Sequence, residues 1–157
     1  MPEMYRGSER ELLDAIIDRN REALIASVEW LSDAESRRRL VASATTPIGL
    51  IKHAAAAERF WFQRFLDRRT ECDGPANPGE ASYAVDDAES LDDVIAEFRR
   101  ASAESRRIAS GLDADDVLMN SRDEPVSVRY VLQHMVEEFA RHAGHADILV
   151  EQIVASR

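Results

Sequence analysis

The chain holds four histidines, and their spacing is its first sign of chemistry. His134, His142 and His145 share one stretch with Glu138, while His53 stands far upstream. On a helix advancing about 100° per residue with Glu138 at zero, His134, His142 and His145 fall at about −40°, +40° and −20°. Val131 and Leu149 fall at about +20° and Met135 at about +60°. The polar cluster therefore shares the face that should turn into a core, and Glu137 and Arg141 point to the side. A core-directed carboxylate beside core-directed histidines is costly unless something pairs with it. A carboxylate and a histidine at i and i+4 are helix neighbours that can share one ion. A divalent cation of the zinc type accepts both donor kinds in one shell.

His53 supplies the natural third ligand. Its helical face carries Gly49, Leu50, Ala56, Ala57 and Phe60, mostly apolar, and the Ala54–Ala57 run lets another helix approach or leaves an open pocket. Three protein ligands leave coordination positions for water or substrate, the mark of a reactive rather than a structural site. Each residue also has a plainer reading. His53 by itself could be a hydrogen-bonded core histidine, and Glu138–His142 an exposed helix pair. Other site types fail. There is no HExxH, no GxGxxG and no P-loop, and no GxSxG. Neither Glu137 nor Glu138 has a histidine three residues on, as di-iron bundles require. Cys72 sits in a polar loop and reads as a bystander. Trp61 and Phe62 read as core or interface, and Arg37–Arg39 as a solvated basic face.

The elements that must hold these residues are helical throughout. Ser8 followed by Glu11 is a capping-box pattern. It opens a first helix from about Glu9 to Leu31, with a stripe of Leu12, Leu13, Ile16, Ile17, Ala23, Leu24 and Val28. Asp33 to Leu40 contains at most a short helical turn. Thr46-Pro47 opens the second helix, which runs to about Asp67. Arg69 to Glu89 contains DGPANPG, rich in turn dipeptides, and is long enough to be a crossover or a lid. The third helix follows Ser90, with Asp92 and Asp93 in its first turn, and ends at Gly111. The fourth runs from about Ser127 to Ala155. Gly144 inside it costs about 1 kcal/mol relative to Ala and suggests close packing against a neighbour. Four long helices with one extended connection predict an all-α, four-helix bundle in a single domain over 1–157.

Composition narrows the partners. The formal charge is −10, so a sequence-independent grip on nucleic acid is not expected. No apolar run approaches the roughly 20 residues of a membrane span. The start, MPEMYRGSERELLDA, lacks the apolar core of a signal peptide. A single cysteine excludes an internal disulfide. These features predict a cytoplasmic protein. Lys52 is the only lysine, which reads as the coding bias of a GC-rich bacterium.

The segments VSVRYVLQHMVEEFARHAGHADILVEQI (Val126–Ile153) and TTPIGLIKHAAAAERFWF (Thr45–Phe62) resemble the DinB-like superfamily. The likeness is closest to a mostly actinobacterial subgroup whose last helix reads HMxEExARHxGHAD. The resemblance implies a bundle of up-down-down-up course, often a homodimer. It also implies a divalent metal, zinc or nickel, held by one residue of the second helix and two of the last. Many relatives carry His-x-x-x-His on the last helix, where this chain has Glu138 and His142. That departure is similar to the metal domain of mycothiol-dependent maleylpyruvate isomerases, which use His, Glu and His, and His53, Glu138 and His142 match those positions. The isomerases carry a further C-terminal domain, whereas this sequence stops at Arg157, so maleylpyruvate isomerisation itself is not carried over.

What the resemblance implies is a metal-dependent S-transferase or isomerase using a low-molecular-weight thiol such as mycothiol as cosubstrate against a small electrophile. His134 and His145 match signature positions. They read as supporting groups that orient Glu138, or as a general base. The alternatives are a non-catalytic metal- or ligand-binding bundle and a metal-assisted hydrolase.

Overall fold

The computed structural model describes residues 5–157, and the reading of the first four residues lies outside them. Each helix starts where a side chain can satisfy its free amides. α1 spans Glu9–Val28, opened by the reciprocal Ser8–Glu11 box, and α2 is a short turn over Asp33–Ser36 with a second box from Ser32 and Glu35. α3 covers Pro47–Glu58, with the Thr46 hydroxyl accepting from the Gly49 amide and Pro47 in its first turn. α4 covers Leu91–Ser110, where Ser90 and Asp93 form a third box, and α5 covers Val128–Ala155, capped by Ser127.

The second predicted helix does reach Asp67, but in two geometries. After Glu58 the chain widens into a π-helix over Arg59–Leu66, and the Asp67 amide donates to the Phe62 carbonyl at 2.9 Å. Such widened turns are rare and concentrate at functional sites. A second departure lies in the segment 112–127, expected as a polar connection. It contains a two-stranded antiparallel hairpin of β1 (Val117–Met119) and β2 (Pro125–Ser127), paired Leu118 to Val126. Strands of three residues are too short to show period-two patterning.

Polar contacts between helices fix their directions. Glu9, Asn20 and Ser27 of α1 meet Arg129, Val136 and Asp147 of α5 in ascending order, so α1 and α5 run parallel. Lys52 and Glu58 of α3, and Arg69 just beyond it, meet Glu97, Ser102 and Glu104 of α4, again in ascending order. Asp18 of α1 meets Arg106 and Arg10 meets the Leu112 carbonyl, so α1 opposes α4. The course is up, down, down, up, and the segment 67–90 is the crossover that makes α3 and α4 parallel. Within that crossover Glu80–Tyr83 forms a 3₁₀ turn packed against α3.

Leu24, Leu50, Phe98, Met135 and Phe139 are fully buried at the centre. Beside them lies a buried ion pair. Arg21 donates from Nε and Nη2 to the two oxygens of Glu58, at 2.6 and 2.9 Å, and the Ser102 hydroxyl donates to the same carboxylate at 3.1 Å. Two surface expectations are corrected. Gly144 is exposed, with nothing within 4 Å of where a Cβ would stand, so it marks no close helix contact. Arg37–Arg39 are not merely solvated: Arg37 donates to the Asp86 and Glu89 carbonyls, Arg38 to Ser156, and Arg39 to the Ala42 and Ser43 carbonyls. Among the described residues no helix is long and apolar enough to cross a membrane.

Candidate metal centre

α3 and α5 pack antiparallel, and this brings His53 to Glu138 across 85 positions of sequence. His53 Nε2 lies 2.7 Å and His142 Nε2 3.1 Å from the same oxygen, Glu138 Oε1. One ligand atom from each of the three residues lies within 4.8 Å of the others. His53 and His142 are buried and Glu138 is nearly so. The two imidazoles meet edge to face, with centroids 4.7 Å apart.

The crossover completes the arrangement. Gly49 stands one turn before His53, and a Cβ there would lie 2.8 Å from the Tyr83 carbonyl oxygen. Lacking that atom, α3 lets the 3₁₀ turn approach closely. Ser82 Oγ then reaches 2.8 Å from His53 Nδ1, and the Tyr83 ring stacks on the His53 imidazole at 4.4 Å and 9°. The Ser82 hydroxyl donates to the Gly79 carbonyl at 2.5 Å. Its oxygen is therefore free to accept from His53 Nδ1–H, which leaves a bare lone pair on Nε2. Two acceptors, His53 Nε2 and Glu138 Oε1, then face each other at hydrogen-bonding distance. Only a positive occupant, a proton or a metal ion, reconciles them. The donor set thus fits a divalent cation, with the hydrogen bond behind His53 that metal-binding imidazoles normally make.

Electrostatics agree with the geometry. Burial disfavours the Glu138 anion, but with protons as the positive occupants the hydrogen bonds from His142 and His53 and their charges outweigh it and hold the carboxyl well below its usual range. Burial, helped by the Glu138 charge, pushes the Tyr83 phenol up, so it stays protonated.

The other two histidines part company. His145 is exposed, with Nδ1 3.4 Å from His142 Nδ1. Burial of its ring and the nearby His142 and Arg141 charges push its pKa down. It lines a mostly apolar pocket of about 280 Å³ with Val41, Ser43, Thr45, Ile148 and Leu149. His134 makes no hydrogen bond to the triad. It packs on Trp61 at 4.9 Å and stacks with Tyr130 at 6.0 Å. Phe62 is core, whereas Trp61 is half-buried beside His134. Cys72 is half-buried, with its thiol 4.0 Å from the Arg59 carbonyl oxygen. Glu137 and Arg141 pair with each other on the surface at 2.6 Å. Ser82 and Tyr83 are the residues that sequence reasoning missed. Their only signal is an aromatic residue in an otherwise polar loop after Pro78-Gly79.

Among solved structures the chain is similar to a conserved protein from Enterococcus faecalis, with a TM-score of 0.65 and 17% identity over 97% of this chain and 100% of that one. This likeness carries the fold alone. No curated protein matches the sequence. The family model described as mycothiol-S-transferase matches residues 12–155, which include the triad, the Ser82–Tyr83 turn and both flanking histidines. The chain belongs to the mycothiol S-transferase family, of the DinB-like kind.

Proposed function

We propose that the protein is a metal-dependent S-transferase that joins a mycothiol-like thiol to a small electrophile. His53, Glu138 and His142 are the metal ligands, and zinc or nickel is the metal, both suited to two imidazoles and one carboxylate. The observation that carries the reading is the pair of imidazole Nε2 atoms converging on one largely buried carboxylate oxygen, within a family named for this chemistry. A divalent cation held there supplies the positive charge that lowers a thiol's pKa and keeps its sulfur nucleophilic at neutral pH.

The protein's own groups do the rest. Ser82 holds the His53 tautomer, and Tyr83 covers that ring from solvent. Glu138 contributes the negative charge that keeps a cation in place. His145, which lines the apolar pocket beside His142, is the base that takes the thiol proton. The apolar pocket beside it receives the electrophile. The sulfur attacks the electrophilic carbon, forming an S–C bond, and the leaving group departs with its electron pair. His134 supports the contact between α5 and the π-helix through Trp61.

The test is metal content of the purified protein beside Glu138→Ala, followed by thiol consumption with a chloro-aromatic electrophile. Expected are about one zinc or nickel per chain, lost in the variant, and conjugation only by the loaded protein. Absence of metal after reconstitution with either ion would overturn the reading in favour of a ligand-binding bundle. Metal with water-driven hydrolysis and no use of thiol would make it a hydrolase.

A further inference from the structure

The two elements that a plain bundle lacks, the π-helical end of α3 and the β-hairpin, form the walls of one groove. Phe60, Trp61, Arg64 and Phe65 line one side, the hairpin turn with Arg122 the other, and Tyr130 the floor, enclosing about 840 Å³. That volume lies within the usual range for ligand clefts. The walls are tied together. Arg68, in a left-handed conformation at φ 55°, donates to the Met119 carbonyl at 2.8 Å while its guanidinium lies over Phe65.

Two features of the groove ask for a ligand. In this acidic protein most arginines are spent on carboxylates or carbonyls. Among the described residues four guanidiniums, those of Arg19, Arg64, Arg100 and Arg122, make no hydrogen bond or ion pair, and two of the four, Arg64 and Arg122, line this groove. They stand beside a cluster of rings in which Trp61 packs edge-on against Phe60 and Phe65 and approaches Tyr130. Ring faces that cover sugar C–H surfaces, next to donors for hydroxyl oxygens, are the chemistry of carbohydrate recognition.

The groove also lies on the correct line. Tyr130, His134 and Glu138 are successive turns of α5, so the groove floor is about 12 Å from the triad along the helix. Trp61 bridges the interval by packing on His134.

Building on the S-transferase reading above, we propose that this groove binds the sugar–cyclitol body of the thiol cosubstrate. The cysteinyl arm then runs past His134 and delivers its sulfur to the triad. Size assigns the other pocket. About 280 Å³, lined mainly by Val41, Ile148 and Leu149, suits a compact apolar electrophile and not a polyhydroxylated thiol.

The test uses Trp30→Phe protein, which leaves Trp61 as the sole tryptophan. Probes are mycothiol, its thiol-free amino-sugar–cyclitol fragment, and N-acetylcysteine. Mycothiol and the fragment should both shift Trp61 emission. Arg64→Ala and Arg122→Ala should each weaken both at least fivefold, with unchanged circular dichroism. Binding and turnover of N-acetylcysteine should be indifferent to these variants. A mycothiol complex with no Trp61 response, or with unchanged affinity in both arginine variants, would overturn the groove. The two readings fail separately. Fragment binding without any conjugation keeps the groove and removes the transferase. Conjugation with an unaltered KM for mycothiol in both variants keeps the transferase and removes the groove.

Discussion

Ser82 shows how one hydroxyl prepares a site. It spends its proton on the Gly79 carbonyl and so takes one from His53 Nδ1. Ser82→Ala should therefore leave the fold intact and weaken metal binding by about tenfold or more, measured by competition with a chromophoric chelator. Equal affinity in the variant would mean that the tautomer is set elsewhere. Glu58 makes the opposite kind of contribution. It is fully buried and satisfied by Arg21 and Ser102. Glu58→Ala removes two buried bonds from Arg21 and leaves its guanidinium, set among Phe62 and Phe139, with only the part-exposed Asp18 carboxylate at 2.7 Å, and should cost about 3 kcal/mol, read from urea unfolding. A loss below about 1 kcal/mol would mean that Asp18 and water together suffice for Arg21.

Among the elements, the crossover acts through one close approach. Gly49→Ala puts a methyl against the Tyr83 backbone. The 3₁₀ turn must retreat, taking Ser82 and Tyr83 off His53, so metal affinity should fall more than melting temperature does. Unchanged affinity would show that the turn can shift without releasing His53. Acid stability is also set between elements. Glu104 is held at about 2, chiefly by Arg107 and then by Arg69. Glu35 is also held at about 2, by the Ser32 amide and then Arg157. Both pKa values are depressed on folding, so both groups favour the fold above their ordinary pKa of 4.5 and lose that contribution as pH falls from there towards 2. The melting temperature should drop across this window, and a double Glu35→Gln, Glu104→Gln variant should show a shallower drop.

For the whole molecule, the triad joins two helices that no short connection links. A bound cation would therefore fasten α3 to α5. Zinc at about 100 times its dissociation constant should add about 2.7 kcal/mol, which is a rise of roughly 5–10 °C in melting temperature at this chain length. The rise should vanish in Glu138→Ala. An equal rise in the variant would place the stabilising ion somewhere other than the triad.

The helix boundaries, the caps Ser8, Thr46, Ser90 and Ser127, and the shared face of Glu138 and His142 were legible in the residues themselves. Each rests on hydrogen bonds or spacing within about four positions, where the chain has little choice. The resemblance added the up-down-down-up course, which polar contacts between the four helices bear out. Tertiary structure alone decided the rest. The Ser82–His53 bond spans 29 positions and the Arg21–Glu58 pair 37, so no local pattern records them. It separated His145, beside His142, from His134, beside Trp61, although the helical projection put both near Glu138. It made Arg21, a surface residue by type, into a buried one, and it built a groove from a widened turn and a hairpin of three-residue strands. Such features depend on which surfaces meet when the helices pack, and that is a property of the assembled chain rather than of any stretch of it.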